Sequence, residues 1–145
     1  MSPSGCFVET GRWLDPYDDI YYYNASDVQI DHVVTLYESW ISGLGNLDAA
    51  LQRRFANTGS LEEGVLPETS HNFLVVGASS NREKGSSDPT EWMPRNEDYH
   101  CTYLKKWVLI KSQNRLLFDE SEFEYIQRRA ADCSLDPLPD LPANS

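Results

Sequence analysis

The chain lacks any long apolar run. None of its segments approaches the roughly 20 apolar residues that a membrane-spanning helix needs, so no membrane partner is expected. It also lacks a CxxC pair. Its three cysteines, Cys6, Cys101 and Cys133, stand far apart, which excludes a four-cysteine zinc site. Positive charge is scarce: 12 Lys and Arg face 23 Asp and Glu, a net charge of -11. A surface of that sign argues against a protein that coats nucleic acid non-specifically. Residues 81–115 depart from the trend, with seven basic side chains against five acidic ones. A local basic face and ordinary solvated helix faces are both compatible with that count. No internal repeat is visible. No signal-peptide pattern opens the chain either, since Met1 runs straight into polar SPSG; a leader would have been removed before this point.

What is present is the composition of a folded domain. The chain has 145 residues, 40% hydrophobic and 12% aromatic, with eight tyrosines, enough for one domain with a substantial core. Residues 1–133 are expected to form it. The proline-rich tail, 134–145, is expected to be disordered. Residues 1–26 are turn-rich and aromatic. Residues 27–34 read as a strand. TLYESWISG predicts a short helix ending at Gly43 or Gly45. NLDAALQRRFAN predicts another, with Asn46 as N-cap candidate and Leu47, Ala50, Leu51 and Phe55 at helical spacing. NFLVVGA predicts a second strand, and SSNREKG a short helix opened by a serine cap and ended by Gly85. Two longer helices follow. In the first, Tyr103, Leu104, Trp107, Val108 and Ile110 form an apolar stripe. In the second, Phe123, Ile126 and Ala130 point inward and acids fill the first turn.

If these last two helices form an antiparallel hairpin turning near residue 117, Cys101 and Cys133 each lie sixteen residues from the turn. They would then sit side by side, as a disulfide requires; two buried free thiols are the alternative. A disulfide implies an oxidising compartment, and so a secreted protein. Asn24-Ala25-Ser26 is a glycosylation triplet, a weak sign in the same direction. Cys6 would be left unpaired, or bonded outside this chain.

The chemistry-bearing stretch is Gln29–Trp40, where Asp31 and His32 interrupt a β-branched run. Burying a carboxylate and an imidazole is costly unless each has a partner, and an Asp-His pair in a strand is most often a hydrogen-bonded structural pair. A metal-dependent phosphodiesterase, however, needs a base to activate water, oxygen ligands for a divalent cation and a cation near the phosphate. Asp31 and His32 could supply a ligand and a base. The second strand and the helix after it add Asn72, Asn81, Arg82 and Lys84.

Seven blocks in order, TGRWLDPY, IDHVVTLYESW, FANT, HNFLVV, SNREKGSSDPTEWMP, YHCTYLKKW and ADC, extend this pattern over roughly residues 9–133. Together they resemble the HNH (ββα-metal, His-Me finger) nuclease superfamily. The nearer likeness is to its branch holding the C-terminal domain of GmrSD-type restriction endonucleases and small secreted nuclease-like proteins. The resemblance implies an α+β fold with a ββα-metal core, additional helices and a C-terminal helical hairpin. It implies that Asp31 and Asn81 are metal ligands and His32 the general base. Asn72 would hold the His32 loop by hydrogen bonds, Lys84 and Arg82 would contact phosphate, and His71 would line the cleft. An Asp/Asn ligand pair favours Mg²⁺, with Mn²⁺ possible and Zn²⁺ less suited. The implied activity is endonucleolytic phosphodiester hydrolysis, of DNA more than RNA. The alternatives are a ribonuclease with the same site, or a secreted effector or toxin-like interaction protein that keeps the fold.

Two positions depart from the family pattern. Thr35 replaces a proline, which is expected to loosen the turn after the strand. Ser86 and Ser87 replace Asp-Lys, which removes a basic group from the phosphate side. The four tryptophans, Trp13, Trp40, Trp92 and Trp107, are expected in the core rather than stacking on bases. The sharpest expectation concerns shape: strand side chains alternate, so Asp31, His32 and Asn81 converge on one metal only if the strand stops being regular at the pair.

Overall fold

The computed structural model describes residues 8–133. Cys6 and the tail expected to be disordered lie outside the described residues.

The chain is mixed α+β, with five α-helices and two small antiparallel sheets among the described residues. The first sheet is a hairpin of β1 (Thr10–Asp15) and β2 (Ile20–Asn24). Its strands are not foreseen in a segment that reads only as turn-rich and aromatic. Both strands are largely solvent-exposed, so no alternation of apolar and polar residues announces them. Their turn is held by Asp19 N–H donating to the Asp15 carbonyl at 2.9 Å. Asp19 adopts a φ of 60°, a left-handed conformation that Asp tolerates better than most residues.

The second sheet pairs β3 (Val28–His32) with β4 (Phe73–Gly77), in register from Val28 opposite Gly77 to His32 opposite Phe73. Between them run α1 (Leu36–Ile41) and α2 (Ala49–Thr58). Thr35 does not loosen the turn after β3. Its hydroxyl caps α1, accepting from Glu38 N–H at 3.1 Å, a role a proline side chain could not fill. Helix α2 is capped by Asp48, which accepts from Leu51 N–H at 2.9 Å, rather than by Asn46. Helix α3 (Ala78–Lys84) follows β4 directly, with Gly77 and no serine at its cap. Helices α4 (His100–Gln113) and α5 (Glu120–Cys133) form the C-terminal hairpin, stapled by the Cys101–Cys133 disulfide with a Cα–Cα distance of 5.1 Å.

The core forms where α4 meets the second sheet and its neighbours. Tyr103, Leu104 and Trp107 of α4 pack with Phe55, Val33, Val34, Val76, Phe118 and Ile126, all buried. Lys111 occupies the same α4 stripe, one turn after Trp107, and is also fully buried. Its ammonium donates to Glu38 at 2.8 Å, Glu122 at 2.9 Å, Ser42 Oγ at 3.0 Å and the Leu117 carbonyl at 2.9 Å. One lysine thus ties α1, α4 and α5 together, with every proton satisfied. Two carboxylates share this single cation, and burial pushes the Glu122 carboxyl up to about 7. Of the tryptophans, Trp107 is core and Trp92 packs against it. Trp40, against expectation, is 53% exposed.

Candidate functional site at the end of strand β3

Pairing through His32 keeps β3 regular to its last residue. The strand therefore ends at the Asp31-His32 pair, one of the two forms expected, without distorting through it. The two side chains point to opposite faces, as strand geometry requires. Asp31 faces α3 and His32 faces α2.

On the α3 side the contacts form two rungs. Gln29 and Asp31 are two apart on β3 and share a face; Asn81 and Lys84 are three apart on α3 and also share one. Asn81 Nδ2 donates to Gln29 Oε1 at 2.7 Å. Lys84 Nζ donates to Asp31 Oδ1 at 3.1 Å and to the His32 carbonyl at 2.9 Å. The second Asp31 oxygen accepts from the Tyr17 hydroxyl at 2.6 Å. Asp31 and Lys84 are both buried. Burial lowers the Lys84 pKa, against the pull of the Asp31 charge. The Tyr17 hydroxyl is raised well above its ordinary value, first by burial and then by the Asp31 charge, so it remains a donor.

Lys84 therefore does not present its charge to a phosphate in solution. Its ammonium is spent inside the fold, and this corrects its expected role. Arg82 is exposed on α3 and is free to meet an anion. His71 is exposed beside a polar cavity of about 220 Å³ that also takes in Ser70, Glu62 and Gln113.

On the other face, His32 Nε2 lies 3.0 Å from the Ala56 carbonyl of α2, with its ring edge-on to Phe73 at 4.8 Å between centroids. A carbonyl only accepts, so Nε2 carries the proton and Nδ1 holds the free lone pair. Nδ1 has no hydrogen-bond partner among the described residues. Asn72 clamps the chain just after His32. Its Oδ1 accepts from Val34 N–H at 2.8 Å, its Nδ2 donates to the Val34 carbonyl at 3.3 Å, and its own carbonyl accepts from Val33 N–H at 2.9 Å.

The first hairpin buttresses the start of α3. Asp15, fully buried, accepts from Gly77 N–H at 3.0 Å and Ser80 Oγ at 2.7 Å. The Tyr22 ring lies against Gly77, where a β-carbon would come within 2.7 Å of the Tyr22 hydroxyl oxygen.

No family model matches the chain, and no solved structure matches it. An uncharacterized secreted protein of Arthroderma benhamiae is 35% identical to it over 107 residues, which cover 74% of this chain and 48% of that protein. The chain thus spans about half the length of the curated relative it matches.

The donors that could hold a cation on the α3 side are all hard oxygens: the Asp31 carboxylate and the amide oxygens of Asn81 and Gln29. That set suits Mg²⁺ or Mn²⁺ and offers no imidazole or thiolate for Zn²⁺. The Lys84 ammonium marks where this interface already holds a positive charge against Asp31. The donors do not yet converge on a metal. Both Asp31 oxygens are engaged, by Tyr17 and Lys84, and the Asn81 amide is bonded to Gln29. Loading would require Lys84 to release Asp31 and Asn81 to turn from Gln29. Glu38, Asp119 and Glu122 also lie within 4.8 Å of one another; Glu38 and Glu122 are buried and share the Lys111 ammonium, whereas Asp119 is exposed.

Sequence reasoning missed Tyr17 and Gln29. Period-two spacing from Asp31 was a signal for Gln29. Nothing local signals Tyr17, which reaches Asp31 from fourteen residues away.

Proposed function

We propose that the chain is a metal-dependent phosphodiester hydrolase of the HNH, ββα-metal type, acting at the end of β3. The observation that carries this reading is the state of His32. Its Nε2–H is fixed on the Ala56 carbonyl, which orients the ring and leaves Nδ1 without a partner, available to accept a proton. Asn72 holds the backbone on which that ring depends. In this reading His32 Nδ1 takes the proton from the water that attacks phosphorus. Asp31 and Asn81 would hold the cation, which requires Lys84 to leave Asp31 and, because Asp31 and His32 face opposite sides of β3, the end of that strand to open so that both faces serve one site. When bound, a divalent cation supplies charge stabilisation to the transition state. Arg82, on the exposed side of α3, binds a flanking phosphate. The order of elements, two antiparallel strands followed by a helix with Asp-His on the first strand and Asn on the helix, supports the same assignment. Secretion is proposed with it, on the strength of the disulfide and of the relative's description.

A second reading is an interaction protein that keeps this fold without its chemistry. It is favoured by Asp31, whose two oxygens are already engaged by Tyr17 and Lys84.

The deciding experiment incubates plasmid DNA and structured RNA with the protein in Mg²⁺, Mn²⁺ or EDTA, beside His32→Ala. Cleavage that needs metal and His32 is expected. Cleavage that survives EDTA or the substitution would sink the mechanism. Cleavage of neither polymer, nor of single-stranded DNA, in any metal would hand the case to the interaction protein.

A further inference from the structure

Helices α1 and α2 leave a groove of about 300 Å³ between them, lined by Leu36, Trp40, Ala49, Gln52, Arg53 and Ala56. We propose that this groove is a stacking site for an unpaired nucleobase, so that the substrate is single-stranded nucleic acid. The inference rests on the phosphodiester-hydrolase reading and names the substrate class of that same site.

Four observations converge. First, Ala56 lines the groove and its carbonyl holds His32 Nε2 at 3.0 Å. The groove and the candidate base therefore share one residue. Second, Trp40 is held as a plate. A β-carbon on Gly45 would lie 2.8 Å from the indole Cε2 and 3.0 Å from Nε1, so the indole rests on bare backbone there, while 53% of the residue stays exposed. An exposed, backed tryptophan is a poor core residue and a good platform, because every base has a π-face to lay on it.

Third, the groove has the right charge in a chain with the wrong one. Against a net -11, no lining side chain is acidic and one is arginine. Neighbouring Arg54 is paired with Glu63 at 3.2 Å, but Arg53 has no salt-bridge partner among the described residues. An aromatic plate with a free guanidinium beside it matches a base and its phosphate. Fourth, apolar exposure continues on α1 through Tyr37 and Ile41, 61% and 55% exposed. A base paired in a duplex cannot enter such a groove, which selects for single strands, loops and frayed ends.

The test is fluorescence anisotropy of a labelled short oligothymidylate in EDTA, where no metal-dependent cleavage occurs. Trp40→Ala should weaken binding about tenfold or more, Trp40→Phe should retain most of it, and Arg53→Gln should weaken it with a shallower salt dependence. Unchanged affinity in Trp40→Ala, or no binding by the wild type, overturns the proposal. So does a wild-type dimer in sedimentation that Trp40→Ala converts to monomer, because the groove would then be a self-interface. The two readings fail separately. Trp40-dependent binding without cleavage by the wild type keeps the groove and removes the hydrolase, whereas undiminished cleavage and binding by Trp40→Ala does the reverse.

Discussion

Replacing Lys84 with methionine removes a buried charge while keeping most of the side chain's length. The ammonium is fully buried and donates to Asp31 at 3.1 Å and to the His32 carbonyl at 2.9 Å. Methionine fills the volume, so cavity formation adds little. What remains is a carboxylate out of reach of water, holding only the Tyr17 hydroxyl, and a carbonyl without its donor. Breaking a buried pair from one side costs about 3–5 kcal/mol. In urea, at a typical slope for a small domain, the unfolding midpoint should fall by roughly 2 M with the slope unchanged. Adding Asp31→Asn removes the stranded charge, so the double variant should recover much of the loss, a coupling that a double-mutant cycle measures directly. If Lys84 stands where a divalent cation also binds, Mg²⁺ or Mn²⁺ should raise the midpoint of Lys84→Met more than that of the wild type, by the mass-action increment of ligand on folded protein. A loss below about 1 kcal/mol, the level of an exposed ion pair, with no recovery in the double variant, would refute the buried pair and with it the reasoning about Asp31.

Two further outcomes test the helical half of the molecule. The folded Glu122 carboxyl, at about 7 against an ordinary 4.5, holds a proton that the unfolded chain gives up. Its stabilising share is therefore full below about pH 4.5 and lost as pH rises through about 7, so wild-type stability relative to Glu122→Gln should drop by up to about 3 kcal/mol across that window. A flat difference in urea denaturation from pH 4.5 to 7 would contradict it. Replacing Cys101 and Cys133 by serine opens a loop with a sequence separation of 32 and should cost about 3–4 kcal/mol in the chain-entropy model. Thermal unfolding of the double variant, against the wild type with and without reductant, measures it.

Several elements were readable before any coordinates. The α4 stripe from Tyr103 to Ile110 announces a helix because apolar residues recur at its own period, and the symmetric distance of Cys101 and Cys133 from the hairpin turn places them in register. The strands β3 and β4 show because they carry apolar β-branched runs. The β1–β2 hairpin did not show, since strands exposed on both faces have no pattern to betray them. Lys111 does not read as buried; it counts only among the basic side chains of residues 81–115. Its burial depends on Glu38 and Glu122, which come from α1 and α5 and which no local spacing connects to it. Glu122 itself, one of several acids in a first turn, looks like an ordinary dipole partner until packing buries it.

The candidate site divides in the same way. Sequence by itself determined which residues are present at it: Asp31 and His32 adjacent on a strand, Asn72 just before the next strand, Asn81 and Lys84 one helical turn apart. Adjacency in a chain and periodicity in a strand or helix are local properties, so spacing is enough to read them. Only the tertiary structure decided what each does with its hydrogen-bonding atoms. It turned Asp31 and His32 to opposite faces, buried Lys84 against Asp31, and brought Tyr17 and the Ala56 carbonyl to atoms that no spacing rule connects to them. Those partners arrive from other elements because buried polar groups must be satisfied by whatever packing brings near, and packing is a property of the whole fold.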